Sequence, residues 1–294
     1  MRRIKQKLLD VYLLTHSNKN DVVLTGLPRS GTTLTTKILS EQPNTVALNE
    51  PIRFNLANTK TETLKLTKRS FFYFRRSLLK DGIATARTVN GKITDNHYKR
   101  TEANGTRKKI IARSDVVFEK ELDKDFKLII KHNSVFTLLQ DELLNLYPYY
   151  AVLRNPLSVL GSLNSVNIPA SRGAIRHLHK LKPGLEEMLK KKESLIDRQI
   201  FILDIYFSQF KKLDENRIIK YEDIIESQGG ILSKITGESV KIKQQLYNTN
   251  VSAIYKPEKM LKMGERLLKS EGSFWHFYSR ESVETLQTEY EKLL

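Results

Sequence analysis

The sequence contains no cysteine, which excludes disulfide bridges, a thiolate nucleophile and zinc sites built on thiolate ligands. It has no apolar run close to the roughly 20 residues that span a bilayer. Its first residues lack the apolar core and small-residue cleavage site of a signal peptide. Acidic residues are scarce, with 33 Asp and Glu against 50 Lys and Arg. We therefore expect a cytoplasmic protein whose partners are anions.

The positive charge is unevenly distributed along the chain. The formal net charge is +17, and residues 65–113 hold fourteen Lys and Arg against three Asp and Glu. Such a surplus attracts nucleic acid, acidic glycans, anionic lipid surfaces or multiply phosphorylated cofactors. At the start of the chain, Arg2, Arg3, Lys5 and Lys7 are followed by Leu8, Leu9, Val11, Leu13 and Leu14, which predicts a basic amphipathic helix. This helix would either pack on the domain or make peripheral contact with a membrane.

The order of apolar runs and amphipathic segments predicts an α/β fold. Short β-rich runs alternate with helical patterns, as in a parallel sheet flanked by helices. The predicted strands are residues 21–26, 45–48, 127–131, 149–154 and 217–221. The main predicted helices are residues 31–40 and a long amphipathic segment, 185–213, whose apolar stripe faces the core. We expect one domain over residues 1–294, because no repeat or low-complexity tract divides the chain.

A basic insertion, residues 56–125, separates the second and third predicted strands. Asn90-Gly91 and Asn104-Gly105 are each flanked by β-compatible residues, which predicts two tight hairpins. The insertion is a candidate cap over a binding site. Its positive charge is equally compatible with a solvent-exposed face or with electrostatic attraction of a highly charged anionic ligand.

The segment GLPRSGTT, residues 26–33, follows the first predicted strand and opens the first predicted helix. Backbone N–H groups at such a turn, together with the helix dipole, favour a phosphate. The loop fits the Walker A pattern except that Thr32 replaces the lysine that reaches the β- and γ-phosphates. No later strand ends in the Asp that would hold Mg²⁺. The sequence thus predicts a P-loop NTPase-like parallel sheet that does not favour a nucleoside triphosphate.

This loop resembles that of the sulfotransferases that use 3′-phosphoadenosine 5′-phosphosulfate (PAPS). In that family the loop grips the 5′-phosphosulfate. The resemblance implies donor contacts from Arg29, Ser30, Gly31, Thr32 and Thr33, which offer a cation, hydroxyls and amides.

A second element lies at the end of the 149–154 strand. Arg154-Asn155-Pro156 leaves the strand and Ser162 follows two helical turns later, so that the two side chains can clasp one anion. The pattern resembles the family's binding element for the donor's 3′-phosphate. By itself, an Arg-Asn-Pro turn is as often structural.

Two further segments match the family less closely. Tyr221-Glu222-Asp223 resembles the segment whose Tyr lies by the adenine, where an aromatic ring can stack on a base. Taken alone, Tyr221 is a core aromatic. Lys269 lies in a stretch similar to the family's RKGxxGxW loop over the 3′-phosphate and adenine, but the first Arg and first Gly are missing.

Glu50 is the first candidate for a general base. It follows Arg29 by 21 residues at the end of a predicted strand, on the side where α/β sheets bind ligands. The spacing resembles that of tyrosylprotein sulfotransferases and Golgi sugar 6-O-sulfotransferases, and implies that Glu50 takes the acceptor's proton. The latter likeness favours a carbohydrate acceptor. The alternative is a solvated Glu before a proline.

Lys131 and His132 end the 127–131 strand. Lys131 can stabilise the leaving phosphate oxygen, and family members carry a Lys at this place. His132 is the second candidate base, but adjacent strand residues face opposite ways. His177 and His179 lack a third metal ligand, and we predict no metal.

These residues predict sulfuryl transfer from PAPS by in-line displacement. Glu50 would take the acceptor proton while Arg29, Lys131 and the loop amides hold the sulfuryl oxygens, and adenosine 3′,5′-bisphosphate would leave. The expected acceptor is a glycan, and an acidic one if the basic insertion binds it; no nucleic-acid partner is expected. The alternatives are a nucleotide or sugar kinase, a basic nucleic-acid-binding protein, or an inactive PAPS-binding scaffold.

Overall fold

A five-stranded parallel sheet forms the centre of the molecule. The computed structural model describes residues 17–99 and 107–294. The strands are β1 (Asp21–Gly26), β2 (Thr45–Asn49), β3 (Ile83–Thr88), β4 (Ala112–Val117), β5 (Lys127–Lys131), β6 (Tyr149–Leu153) and β7 (Ile218–Lys220). The central sheet has the order β2-β5-β1-β6-β7 and every neighbouring pair in it is parallel. This confirms the predicted α/β fold class.

Helices cover both faces of the sheet and make the crossovers that parallel strands require. They are α1 (Thr32–Ser40), α2 (Lys60–Asp81), α3 (Ser134–Leu138), α4 (Gln140–Leu143), α5 (Pro156–Asn164), α6 (Leu178–Leu181), α7 (Pro183–Lys190), α8 (Leu195–Phe210), α9 (Tyr221–Glu226), α10 (Ser233–Thr236), α11 (Pro257–Leu268) and α12 (Arg280–Glu291). Alternate strand residues enter two hydrophobic cores: Val23 lies in one, whereas Val22 and Leu24 lie in the other.

The predicted long helix over 185–213 is wrong in one respect. The segment forms two helices, α7 and α8, separated by residues 191–194. Ser194 caps α8 by accepting a hydrogen bond from the Asp197 N–H at 3.1 Å, which favours a new helix start over continuation. Met188 and Leu195, both assigned to the inward stripe, are exposed, whereas Phe207 and Phe210 are buried.

The basic insertion contains a long helix, α2, that was not predicted from the sequence. Thr59 and Glu62 form a capping box at the start of α2, and Gly82 ends it with a φ of 65°. A hairpin of antiparallel strands β3 and β4 follows. Asn90-Gly91 forms the predicted tight turn, with φ of 50° and 75°, but the partner of β3 is the later strand β4. The predicted Asn104-Gly105 hairpin lies outside the described residues.

Two half-buried cations anchor the insertion to the sheet. Lys120 Nζ donates to the backbone carbonyls of Ser40, Gln42 and Thr45 at 2.5, 2.7 and 2.8 Å. Arg75 pairs with Asp21 at the start of β1, with Nη2 2.6 Å from Oδ1. These contacts fix α2 and the segment after the hairpin near the amino ends of β1 and β2, whereas Arg87 of β3 pairs with Glu50 at the carboxyl edge.

Within residues 17–99 and 107–294, no helix is long and apolar enough to cross a membrane. The basic N-terminal segment predicted as a helix lies outside the described residues.

Candidate active site

A cavity of about 1470 Å³ lies at the carboxyl edge of the sheet. Each of the five strands delivers one predicted site residue to its lining: Arg29 after β1, Glu50 after β2, Lys131 at the end of β5, Arg154 after β6 and Tyr221 after β7. The carboxyl edge is where open α/β sheets bind ligands. Because single small-molecule pockets typically measure about 300–1,000 Å³, this cavity has room for a nucleotide and a second substrate.

Two glycines shape the loop between β1 and α1. Gly26 has a φ of 155°, and a Cβ there would lie 2.4 Å from the Val152 carbonyl oxygen. Gly31 has a φ of 91°, and a Cβ there would lie 2.7 Å from Tyr221 Cδ2. Both positions therefore require glycine, because a side chain at either one would clash with its neighbour and would disfavour the positive φ.

Gly31→Ala is expected to destabilise the fold by about 1–3 kcal/mol, because it adds a strained φ and a clash with Tyr221. Urea denaturation measures this change. Gly184→Ala is the matched control: Gly184 lies in the first turn of α7 and a Cβ there meets nothing within 4 Å. Equal loss of stability in the two variants would contradict the role given to Gly31.

The start of α1 offers unpaired backbone donors to the cavity. Gly31, Thr32 and Thr33 line it, and Gly31 makes no side-chain cap. The first N–H groups of a helix have no intrahelical partner, so this end can bind an anion. Gly31, Thr32 and Thr33 therefore lie where an anion can reach this helix end, and their contact with the donor stays a prediction.

Ser30 does not have the predicted position. Its Oγ lies 2.9 Å from the Leu27 carbonyl oxygen and 2.8 Å from that of Val152, and the residue is fully buried. The side chain therefore ties the loop to β6 and is not part of the cavity lining. Its predicted contact with the donor is corrected to a structural role.

Arg29, Arg107 and Ser162 form a compact cationic cluster. Arg29 Nε donates to Ser162 Oγ at 3.0 Å, and Arg107 Nη2 donates to Ser165 Oγ at 2.7 Å and lies 3.5 Å from Ser162 Oγ. The Tyr98 ring lies 5.0 Å from the Arg29 guanidinium carbon and 6.0 Å from that of Arg107. Arg107 Nε is buried without a hydrogen-bond partner in the described residues.

The electrostatics of this cluster favour an anion. Burial, and after it the neighbouring Arg107, lowers the pKa of Arg29 to about 10. Among residues 17–99 and 107–294, no carboxylate forms an ion pair with Arg29, Arg107 or Arg154. Buried like charges without a counter-ion are costly, and a bound phosphate relieves that cost. Arg29 also has a φ of 75°, an unusual backbone state that is common at functional sites.

Arg154 holds the loop and the cluster together. Its Nε donates to Asn250 Oδ1 at 2.8 Å, its Nη2 to the Thr249 carbonyl oxygen at 2.6 Å, and its Nη1 to the Arg29 carbonyl oxygen at 3.2 Å. Most of its five N–H donors are therefore used in hydrogen bonds within the protein. Arg154 and Ser162 line one cavity, but the hydrogen bonds of Arg154 chiefly position its neighbours, and the shared anion stays a prediction.

Tyr221 is largely covered. The Arg154 guanidinium carbon lies 4.4 Å from its ring centroid, Gly31 packs on its edge, and its hydroxyl lies 2.9 Å from Thr249 Oγ1. Only 4% of the residue is exposed, which leaves little surface for stacking on a base. Tyr247, by contrast, is 68% exposed and lines the same cavity.

Lys269 does not lie where the sequence placed it. It is an exposed residue at the end of α11 and is not part of the cavity lining. Trp275 Nε1 donates to the Ser270 carbonyl oxygen at 2.9 Å, so the following loop folds back on this helix end. The missing Arg and Gly of the family pattern agree with this difference. Residues 242–247, by contrast, do line the cavity.

Glu50 is held between two cations. Lys131 Nζ lies 3.2 Å from Oε1 and Arg87 Nη1 lies 2.8 Å from Oε2. Burial raises the pKa of Glu50, but Lys131 and Arg87 outweigh it and hold the pKa below its ordinary value. Like Arg29, Glu50 has a positive φ, 44°. The carboxylate is thus ionised and aimed at the cavity, although its basicity is suppressed while both cations remain.

A polar chain extends from this pair. Lys131 Nζ also donates to Asn49 Oδ1 at 3.2 Å, which leaves the Asn49 amide N–H to donate to His97 Nε2 at 2.7 Å. Burial lowers the pKa of His97 to about 3, in keeping with a neutral ring that accepts. Asn49 and His97 therefore orient Lys131.

His132 is corrected from a candidate base to a structural residue. Its Nε2 accepts a hydrogen bond from the Ile52 backbone N–H at 3.2 Å, and its ring packs edge-on against Phe54 and Phe136. Burial lowers the pKa of His132 to about 3. The Nε2 lone pair that would take a proton already accepts this backbone hydrogen bond.

Comparison with known proteins finds similarity among solved structures only. No protein-family model and no curated protein sequence matches the chain. Three solved structures similar to it are sulfotransferases, the family that the motifs resemble. The sulfotransferase domain from the curacin biosynthetic pathway is 12% identical, with 80% of this chain and 79% of that chain covered and a TM-score of 0.33. Sulfotransferase STF1 from Mycobacterium tuberculosis H37Rv is 11% identical, with coverages of 96% and 79% and a TM-score of 0.34. Sulfotransferase STF9 from Mycobacterium avium is 13% identical, with coverages of 100% and 82% and a TM-score of 0.36. At these identities and TM-scores the structural similarity assigns no activity. A functional proposal must therefore be argued from the site residues.

Several lining residues were not predicted from the sequence. Arg87, His97, Tyr98 and Arg107 come from the insertion, and Tyr247 from the segment after α10. The density of charge in residues 65–113 pointed to the region, but no spacing rule indicates which cations reach the cavity. Within the described part of the chain, no three His, Asp or Glu side chains cluster as metal ligands.

Proposed function

We propose that the protein transfers the sulfuryl group of PAPS to a hydroxyl group of a carbohydrate. The observation that carries this proposal is the Arg29–Arg107–Ser162 cluster. Arg107 and Ser162 are buried, Arg29 is half-buried, and the cluster lies without a counter-ion in the described residues beside a phosphate-binding type of loop that lacks the Walker lysine. A second anionic group on the ribose distinguishes PAPS from a nucleoside triphosphate. The cluster is a suitable binding site for that group.

The residues present fit the donor at each of its charged parts. The amides at the start of α1 would hold the 5′-phosphosulfate. Arg29, Arg107, Ser162 and the remaining Nη1 donor of Arg154 would hold the 3′-phosphate. Tyr247, the exposed aromatic ring in the lining, would stack on the adenine.

The chemistry needs one proton acceptor and cations near the transferred group. As the acceptor oxygen bonds to sulfur, the bond from sulfur to the phosphate oxygen breaks, and the acceptor proton passes to Glu50. Lys131 would turn from Glu50 to the leaving phosphate oxygen, which gains negative charge. That movement also restores basicity to Glu50, because one of its two cations is withdrawn. The product is adenosine 3′,5′-bisphosphate.

A carbohydrate acceptor is supported by the position of Glu50 rather than by contacts to a sugar. Glu50 directly follows β2, and its 21-residue separation from Arg29 is similar to that in sugar 6-O-sulfotransferases. The cavity around it is polar and charged, as suits an acceptor that is rich in hydroxyl groups.

Calorimetric titration tests the donor site. The protein is expected to bind adenosine 3′,5′-bisphosphate about 10- to 100-fold more tightly than AMP, since the additional phosphate makes charge-assisted hydrogen bonds. Mg-ATP should bind no better than AMP. Preference for Mg-ATP would favour a kinase instead. Equal binding of all three nucleotides, with competition by oligonucleotides, would favour a nucleic-acid-binding protein.

A further inference from the structure

The part of the cavity beyond Glu50 is cationic. Its lining includes Arg53, Arg87, Lys109, Arg113 and Arg176, which we call the acceptor half. These side chains come from three separate parts of the chain: the segment after β2, the insertion, and the segment before α6. The fold thus gathers the charges from distant positions around one space.

Most of these charges have no carboxylate partner. Within residues 17–99 and 107–294, Arg53, Lys109, Arg113 and Arg176 form no ion pair, and Arg87 pairs only with Glu50. Burial lowers the pKa of Lys109 and of Arg113, and the nearby Arg87 lowers both further. Such mutual repulsion around a cavity is relieved by an anionic ligand.

The Arg87–Glu50 ion pair connects this charge to the chemistry. Each oxygen of Glu50 faces one cation, Lys131 at 3.2 Å and Arg87 at 2.8 Å. The donor gives Lys131 another partner, the leaving oxygen. The proposed site assigns the charged parts of the donor to the start of α1, the Arg29 cluster and Lys131. Arg87 is left without an anion from the donor, so a second anion is needed to withdraw it from Glu50.

We infer that the carbohydrate acceptor carries a carboxylate or sulfate group of its own, which binds in the acceptor half and draws Arg87 away from Glu50. The inference rests on the proposed sulfuryl transfer. It makes Glu50 basic only when donor and acceptor are both bound. Arg87 is then a positioning residue that selects acidic acceptors and suppresses reaction of the donor with water.

Paired acceptors test the acidic class. We would measure transfer from ³⁵S-labelled PAPS to heparosan oligosaccharides and to the same oligosaccharides after carboxyl reduction, and to chondroitin sulfate and its desulfated, carboxyl-reduced form. The acidic member is expected to have a kcat/KM about 10- to 100-fold higher than its neutral counterpart. Calorimetry with bisphosphate-saturated protein should show the same preference in binding.

Equal use of both members, preference for the neutral member, or no labelling of any acceptor would overturn the inference. The donor titration separates this from failure of the proposed function. If adenosine 3′,5′-bisphosphate is not preferred, the sulfotransferase proposal itself fails. If it is preferred and neutral acceptors react equally well, only the acidic acceptor is excluded.

Arg176→Gln locates the binding group. Arg176 is exposed in the lining, and no hydrogen bond of its guanidinium is formed within the described residues. The substitution is expected to raise KM for the acidic acceptor about tenfold and to leave bisphosphate affinity unchanged. Arg76→Gln, the same change at an exposed position on α2 away from the cavity, is the control. Equal effects of the two variants on KM would show that Arg176 acts only through the net positive charge of the protein and does not bind the acidic group.

Arg87→Met tests the link to Glu50 through the pH profile. Removing a cation that lowers the Glu50 pKa shifts this pKa upward. The acid limb of kcat/KM should therefore move to higher pH, and hydrolysis of PAPS without acceptor should increase. A merely structural role for Arg87 would lower activity without moving the acid limb. That outcome would exclude the coupling between acceptor charge and Glu50.

Discussion

Glu50→Gln is expected to lower kcat for sulfuryl transfer by about 10²- to 10⁴-fold, the range for loss of a positioned general base. Glutamine keeps the shape of the side chain and an oxygen that accepts from Lys131, but it cannot take the acceptor proton. The affinity for adenosine 3′,5′-bisphosphate should stay within about threefold of wild type, because the donor's phosphates are assigned to other residues. Turnover with labelled PAPS and calorimetry give the two measurements.

The pH profile adds a second readout for Glu50. Lys131 and Arg87 outweigh burial and hold its pKa below the ordinary value, so the carboxylate is already ionised throughout the neutral range. Wild-type kcat/KM should therefore show no acid limb from Glu50 near neutral pH. By the same sign, the ion pairs stabilise the fold above the unfolded pKa of Glu50, and this contribution is lost only as pH falls through the lower folded pKa.

His132→Asn is the control that separates the two candidate bases. Asparagine retains an acceptor for the Ile52 N–H, and because the His132 ring lies between Phe54 and Phe136, the expected effect is on stability. Turnover of the folded variant should change by only a few fold. If His132→Asn abolished turnover with bisphosphate binding intact, while Glu50→Gln retained it, the roles assigned to the two residues would have to be exchanged.

The local signals in the sequence predicted the sheet and its edge. β1 and the turn after it are specified by a short apolar run and two glycines. Both glycines have positive φ, and a Cβ would clash with Val152 at Gly26 and with Tyr221 at Gly31. Glu50 and Lys131 were identified because each stands at the end of a strand, and parallel strands bring their carboxyl ends to one edge. Position at a strand end, together with the family resemblance, indicated these residues.

Other features depend on contacts between distant segments. Ser30 matched the motif, yet its hydroxyl bonds to the backbone of β6, a partner more than 100 positions away. Arg107 lies in an insertion without a recognisable motif and reaches Ser162 only because α2 and the β3–β4 hairpin pack against the sheet. Hydrophobic periodicity and motif spacing report neighbours along the chain, so neither could predict these pairs.

Arg107 therefore provides a sharp test of the donor site. Its guanidinium bonds to Ser165, lies near Ser162 and shares the Tyr98 ring with Arg29, while its Nε remains without a partner in the described residues. A buried Arg with an unused donor in the lining of a cavity is suited to a bound phosphate. No other part of the proposed site depends so completely on the structure.

Arg107→Met is expected to weaken binding of adenosine 3′,5′-bisphosphate about 10- to 100-fold, the effect of losing charge-assisted hydrogen bonds, and to change AMP binding little. The preference between the two nucleotides should thus nearly disappear, because only the bisphosphate carries the 3′-phosphate. Arg76→Met removes the same charge from the exposed face of α2 and should preserve the preference. Arg107→Lys should restore part of the affinity, since it returns the charge without the forked geometry. If Arg107→Met folds normally and retains the full preference for the bisphosphate, the 3′-phosphate does not bind at Arg107, and the cluster must be reassigned to the acceptor.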